Sequence, residues 1–212
     1  AQKAKEFIIN LRETNFGEEM ESKHSFDSKL EIYDKYLLDC KEALVQLNDF
    51  IHSDQKPTYF DERYNTPRDL EQIYNYLTFL KISLSSQRNH IIFYDLLNKF
   101  ESQLVSVENR HSTKASQKRI DTVRPEHFIR IFDQLIQNSN EILNVKGVHD
   151  SSLKDGCVSS LNIFNACRCY FGAILMQTDK RFKDAVCLLY KSLKYFGLFK
   201  NFDSMVSSHK FI

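Results

Sequence analysis

Residues 28–51 read SKLEIYDKYLLDCKEALVQLNDFI, and their pattern decides the fold class. Leu30, Tyr33, Leu37, Cys40, Leu44, Leu47 and Ile51 recur at alternating spacings of three and four. That rhythm predicts an amphipathic helix, with Ile32, Tyr36, Ala43 and Phe50 widening the apolar stripe. Ser28-Lys29-Leu30-Glu31 has the form of a capping box, so the helix is expected to start near Ser28. A 3.5-residue period held for three heptads also fits a coiled-coil seam. The preferred reading is a helix packed into a larger helical array.

The pattern continues on both sides of the next loop. After Pro57 and a polar run through Asn65, Thr66-Pro67-Arg68-Asp69 supplies an N-cap, a proline at the first helical position and an early acid. Leu70, Ile73, Leu77, Leu80 and Leu84 form the buried stripe that follows. Ser85-Ser86-Gln87-Arg88-Asn89 interrupts it, and Ile91, Ile92, Leu96, Leu97, Phe100 and Leu104 resume it. Two antiparallel helices joined by a tight turn are expected here, with one kinked long helix as the alternative. Apolar residues then thin out until Arg124-Pro125-Glu126 restarts a helix carrying Phe128, Phe132, Leu135, Ile136, Ile142 and Leu143, with Gly147 placed to stop it.

Past a loop through Gly156, a helix is expected from about Ser159 to Gln177 and another from Arg181 to about Phe196. Phe182, Ala185, Leu189 and Leu193 fall where the second helix of a tetratricopeptide pair puts its aromatic, alanine and large apolar positions. Gly172 and Ala173 would let the two helices approach. The match is degenerate: Lys180 takes the usual turn glycine and Ser192 replaces an alanine. The fold class is therefore all-α, an array of antiparallel helix pairs, tetratricopeptide-like or α-solenoid. Its parts are an N-terminal helical part (1–105), a linker or long loop (106–124) and a C-terminal helical part (125–212) holding the pair at 159–197.

Composition excludes several alternatives. Across 212 residues there are 5 Gly and 3 Pro against 17 Phe and 10 Tyr, too few breakers for a sandwich or barrel. So little glycine also leaves no glycine-rich phosphate loop. The longest uncharged apolar run, Tyr170–Met176, falls far short of the roughly 20 residues a membrane span needs, so no membrane insertion is expected. Five cysteines, most within apolar helical pattern, and no N-terminal signal segment point to a reducing compartment. The ends, Ala1 and Ile212, read as those of an excerpt from a longer protein.

Chemistry is scarce. Seven scattered histidines form no His-x-x-x-His pair, and Cys167-x-Cys169 is not a zinc spacing and has no complementary pair. No nucleophile elbow exists. The expectation is no enzyme, no metal and no cofactor.

Charge is nearly balanced, 29 Lys+Arg against 28 Asp+Glu, but uneven: residues 1–60 are net −4, residues 61–124 net +2 and residues 125–212 net +3. The densest basic segment holds Arg110, His111, Lys114, Lys118, Arg119 and Arg124. As candidate RNA contacts, Arg110, Lys114, Lys118, Arg119 and Arg124 could lie along phosphates, each adding salt-sensitive, sequence-independent affinity. A plain solvated linker accounts for the same residues. Tyr59, Phe60 and Tyr64, near Arg63 and Arg68, could stack bases. Packing of that loop against neighbouring helices is the preferred reading of them.

Several stretches resemble the family of the sixty-eight-kilodalton subunit of the eukaryotic signal recognition particle. They are Tyr76-Leu77-Thr78-Phe79-Leu80-Lys81-Ile82-Ser83 with Arg88-Asn89; Arg124-Pro125 with Phe128-Ile129-Arg130-Ile131-Phe132-Asp133 and Ile136-Gln137-Asn138; and Phe164, Ala166-Cys167-Arg168-Cys169-Tyr170-Phe171, then Ala185-Val186, Leu189-Tyr190 and Leu193-Lys194-Tyr195. Order and spacing agree over roughly residues 28–197. The resemblance implies a non-catalytic scaffold for co-translational targeting to the endoplasmic reticulum. Its partners would be the particle's RNA and its seventy-two-kilodalton subunit. It also implies a cytoplasmic particle with a nuclear or nucleolar assembly stage. This chain looks like the helical region between that family's RNA-binding domain and its partner-binding tail, which puts most RNA contact outside it. A generic helical-repeat adaptor without an RNA role is the alternative.

Overall fold

A computed structural model describes residues 25–52, 67–109, 122–147 and 150–197. Among them are five helices and no strand: α1 (Phe26–His52), α2 (Pro67–Asn109), α3 (Pro125–Asn144), α4 (Ser151–Thr178) and α5 (Phe182–Gly197). The protein is all-α, as its periodicity predicts. Two compact units divide the chain, Ala1–Arg88 with Glu141–Asp150 and Asn89–Asn140 with Ser151–Ile212. The division falls inside α2, in the polar stretch that interrupts its apolar stripe.

In the first unit α1 starts a turn earlier than expected. Ser25, not Ser28, caps it: the Ser25 Oγ accepts from the Ser28 N–H at 3.1 Å, and the Ser25 carbonyl accepts from the Lys29 N–H. Its buried residues are Ile32, Tyr33, Tyr36, Cys40, Ala43, Leu44 and Leu47, whereas Ile51 is exposed. They lie against the first half of α2, where Leu77 is 0% exposed. The pairing is antiparallel. The Cys40 thiol donates to the Leu77 carbonyl at 3.4 Å, the Tyr33 hydroxyl donates to Gln87 Oε1 at 3.4 Å, and Arg88 Nε donates to Asp34 Oδ1 at 2.7 Å.

The expected turn at residues 85–89 does not form; α2 is one helix of 43 residues, about 65 Å long. The reason is local. Ser85-Ser86-Gln87-Arg88-Asn89 holds neither glycine nor proline, so nothing removes a helical hydrogen bond. Gln87 and Arg88 find partners on α1, and Asn89 is buried. Residues 106–109, apolar-poor in sequence, continue the same helix.

The second unit is built on aromatic rings. Phe128, Ile131, Phe132 and Leu135 of α3 meet Phe164 and Phe171 of α4, with Ile92, Phe93, Leu96, Leu97 and Phe100 of α2 packed around them. Phe128 stacks on Phe171 with centroids 4.2 Å apart and lies edge-on to Phe100 at 5.5 Å. Phe93 tilts against Phe132 at 5.3 Å. Gly147, at φ +87°, follows the end of α3 as the sequence predicts.

α4 begins at Ser151, eight residues before its predicted start, and runs straight through Gly156. A glycine costs an interior helical position about 1 kcal/mol, and burial of Cys157 on the core side offsets it. The turn to α5 is a Schellman motif. The Arg181 N–H donates to the Met176 carbonyl at 2.8 Å and the Lys180 N–H to the Gln177 carbonyl at 3.0 Å. Lys180 sits at φ +60°, the left-handed position where a tetratricopeptide places glycine. Lys180→Gly should therefore raise stability by about 0.5–1 kcal/mol, relief of backbone strain exceeding the added unfolded-state freedom. Thermal unfolding checks it through a Tm rise of about 2 °C.

Ser192 departs from the repeat's alanine for a visible reason. Buried between the helices, its Oγ donates to the Ala166 carbonyl at 2.8 Å. Leu188 Cδ1 lies 3.4 Å from where a Cβ on Gly172 would stand, so the small residue does permit close approach. Of the four repeat-like positions on α5, however, only Ala185 is buried; Phe182, Leu189 and Leu193 are exposed.

Candidate nucleic-acid interface

Arg110, Lys114, Lys118 and Arg119 lie outside the described residues, as do Tyr59, Phe60, Arg63 and Tyr64. Arg68 is exposed on the first turn of α2. Arg124 is described, exposed at the N-cap of α3 with Pro125 at the first helical position. Its backbone N–H donates to His127 Nδ1 at 3.3 Å, and its carbonyl accepts from the His127 N–H at 3.0 Å. This reciprocal cap ties the end of the basic segment to a rigid helix.

The cap also shows an extension that charge counting alone missed. Arg124, His127 and Arg130 are all exposed at spacings of three, one edge of the first two turns of α3. The helix dipole favours negative charge at that end, so a phosphate there would meet favourable charge from backbone and side chains together. Next along the same spacing comes Asp133, whose Oδ1 accepts from Arg168 Nε on α4. The edge thus runs from cations into an ion pair. Glu126 sits in the same first turn, with one carboxylate oxygen buried and without a partner among the described residues. That acid sets the limit of the positive edge on its inner side.

Burial pushes the Cys40 and Cys167 thiols up to about 11, keeping them protonated, and raises Cys157 as well. No group of three or more His, Cys, Asp or Glu among the described residues could hold a metal ion. No helix among them is long and apolar enough to cross a membrane.

His90 of α2 is packed against an aromatic ring of α4. Its ring lies 5.7 Å from that of Phe164, and burial lowers its pKa. The folded form therefore prefers the neutral ring. Below the ordinary histidine pKa, about 6.5, the unfolded chain takes up a proton that the folded one resists. Stability from this site is full above that value and falls as pH drops through it. Between pH 7.5 and 5.5 the wild-type Tm should fall more than that of His90→Gln, as calorimetry at the two pH values would show.

A model of the family described as RNA-binding signal recognition particle 68 matches residues 1–200. Signal recognition particle subunit SRP68 of Drosophila melanogaster is 27% identical over 196 residues, which cover 92% of this chain and 31% of that protein. The chain spans about a third of the length of that curated relative. No solved structure matches.

Proposed function

Because the chain belongs to the RNA-binding signal recognition particle 68 family, we propose that it is a non-catalytic helical scaffold that positions the particle's RNA and a partner subunit. The observation that carries the reading is the family match over nearly the whole chain. On this reading the protein works in the cytoplasm, in co-translational targeting to the endoplasmic reticulum. It passes through a nuclear or nucleolar assembly stage and meets the membrane only through the particle. The seventy-two-kilodalton subunit is its protein partner.

The family resemblance puts most RNA contact outside this chain. The family is described as RNA-binding, and its match to this chain supports some RNA contact within it. We place that contact along Arg110, Lys114, Lys118 and Arg119, continuing onto Arg124, His127 and Arg130 at the start of α3. Near-neutral total charge and an acidic first sixty residues favour the alternative, a helical-repeat adaptor without RNA.

A tagged chain recovered from a eukaryotic lysate, with and without ribonuclease, separates the two. Particle subunits and their RNA in the eluate support the scaffold; an unrelated partner and no RNA leave the adaptor. Replacing Lys114, Lys118 and Arg119 together by alanine should weaken RNA binding roughly 50–100-fold at physiological salt, from three lost phosphate contacts. Tm should not change. Unaltered affinity removes the segment from the interface.

A further inference from the structure

α5 carries an apolar stripe besides the side that packs on α4. Ala185 and Ser192 are buried, and Leu188 and Tyr195 half-buried, on the packed side, where the Ser192 Oγ donates to the Ala166 carbonyl of α4. The second stripe, turned about 100° around the helix, holds Phe182 (61% exposed), Val186 (65%), Leu189 (42%) and Leu193 (68%), with Tyr190 beside it (73%). Five large side chains along about 17 Å of helix make a patch of the kind that marks an interaction surface.

Charge along the outer margin of the stripe says what kind of partner fits it. Lys183 and Lys194, both exposed, fall about 100° and 120° around the helix from Phe182, just past Tyr190, and about 17 Å apart along the axis. Asp184, the one acid of α5, lies about 100° beyond Lys183 and is held by Arg181 at 2.7 Å. The margin is therefore cationic. Antiparallel self-pairing across the stripe would set that margin against its own copy, lysine facing lysine. A lipid surface calls for cations on both margins of an apolar stripe, and here the opposite margin adjoins the side packed on α4. A helix with acids along one margin of its apolar face matches both the length and the charge. We propose that α5 docks an acid-edged amphipathic helix of another protein, its apolar residues laid along Phe182, Val186, Leu189 and Leu193 and its carboxylates paired with Lys183 and Lys194. The contact uses none of the residues placed on RNA above, so it stands or falls apart from that reading.

Fluorescence anisotropy of the 212-residue chain with two labelled helical peptides of about 18 residues tests this. Both peptides carry the same leucine stripe, one edged with glutamate and the other with lysine. The glutamate-edged peptide should bind saturably in the micromolar range, roughly 10-fold tighter than the lysine-edged one at low salt. Leu193→Ser should weaken that binding roughly 10-fold while moving Tm by less than about 2 °C, since the residue is exposed before docking. Lys183→Glu with Lys194→Glu should reverse the preference between the two peptides. Equal affinity for both peptides, no saturable binding, or indifference to Leu193→Ser overturns the proposal. So does a larger Tm loss for Leu193→Ser, which would mean that the stripe is already covered within the chain. A dimer that Leu193→Ser dissociates overturns it in favour of a second copy, and binding to anionic lipid vesicles without binding to the glutamate-edged peptide overturns it in favour of a membrane surface.

Discussion

Leu77→Asp is expected to abolish the cooperative unfolding of the first unit at neutral pH, leaving little of its helical circular dichroism protected. Leu77 is completely buried, and its carbonyl accepts the Cys40 thiol from α1. The change removes about 2 kcal/mol of apolar burial and forces a carboxylate into a fully buried space. That acid must either ionise there, at a cost of several kcal/mol, or stay protonated with its pKa driven up. A total of about 5 kcal/mol or more is comparable with the whole stability of a domain. Because the buried acid is tolerated best when neutral, the variant should regain part of its lost stability, relative to wild type, between pH 7 and pH 4. A variant that melts like wild type would show that Leu77 does not face α1.

Phe128→Ala should cost about 3–5 kcal/mol and lower Tm by about 10 °C. Phe128 is 0% exposed at the centre of the second unit, stacked on Phe171 and edge-on to Phe93 and Phe100. Alanine opens a cavity lined by rings that are themselves held by their neighbours, so the space cannot collapse without moving α2, α3 and α4. Phe128→Leu keeps most of the volume and should cost about 1–2 kcal/mol. The difference between the two, read by denaturant unfolding, separates packing volume from ring stacking. Equal losses would assign the site's stability to the stacked geometry itself.

Helix type and core faces were legible because apolar spacing carries them. Leu77, Phe128, Phe132 and Leu135 are buried as their stripes predict, and Gly147 follows α3 at positive φ. Boundaries failed where tertiary partners overrode weak local signals. Gln87 and Arg88 look like turn residues alone, but Tyr33 and Asp34 hold them in a helix. Gly156 looks like a stop, yet the helix passes through it because Cys157 anchors the next position. The repeat-like spacing of Phe182, Leu189 and Leu193 marks an apolar face correctly and says nothing of whether a neighbour covers it. The basic segment was readable as composition, whereas Arg130 joined it only through the register of α3 after the cap at Arg124.

One titration tests the scaffold reading most directly: equilibrium binding of the chain to signal recognition particle RNA between 50 and 400 mM salt. Arg110, Lys114, Lys118, Arg119 and Arg124 neutralising one phosphate each predict that log K falls against log salt with a slope of roughly −3.5 to −4.5. Each alanine in that set should make the slope shallower by about 1. Absence of binding at 50 mM salt, or affinity indifferent to salt, would contradict the account and leave a helical adaptor.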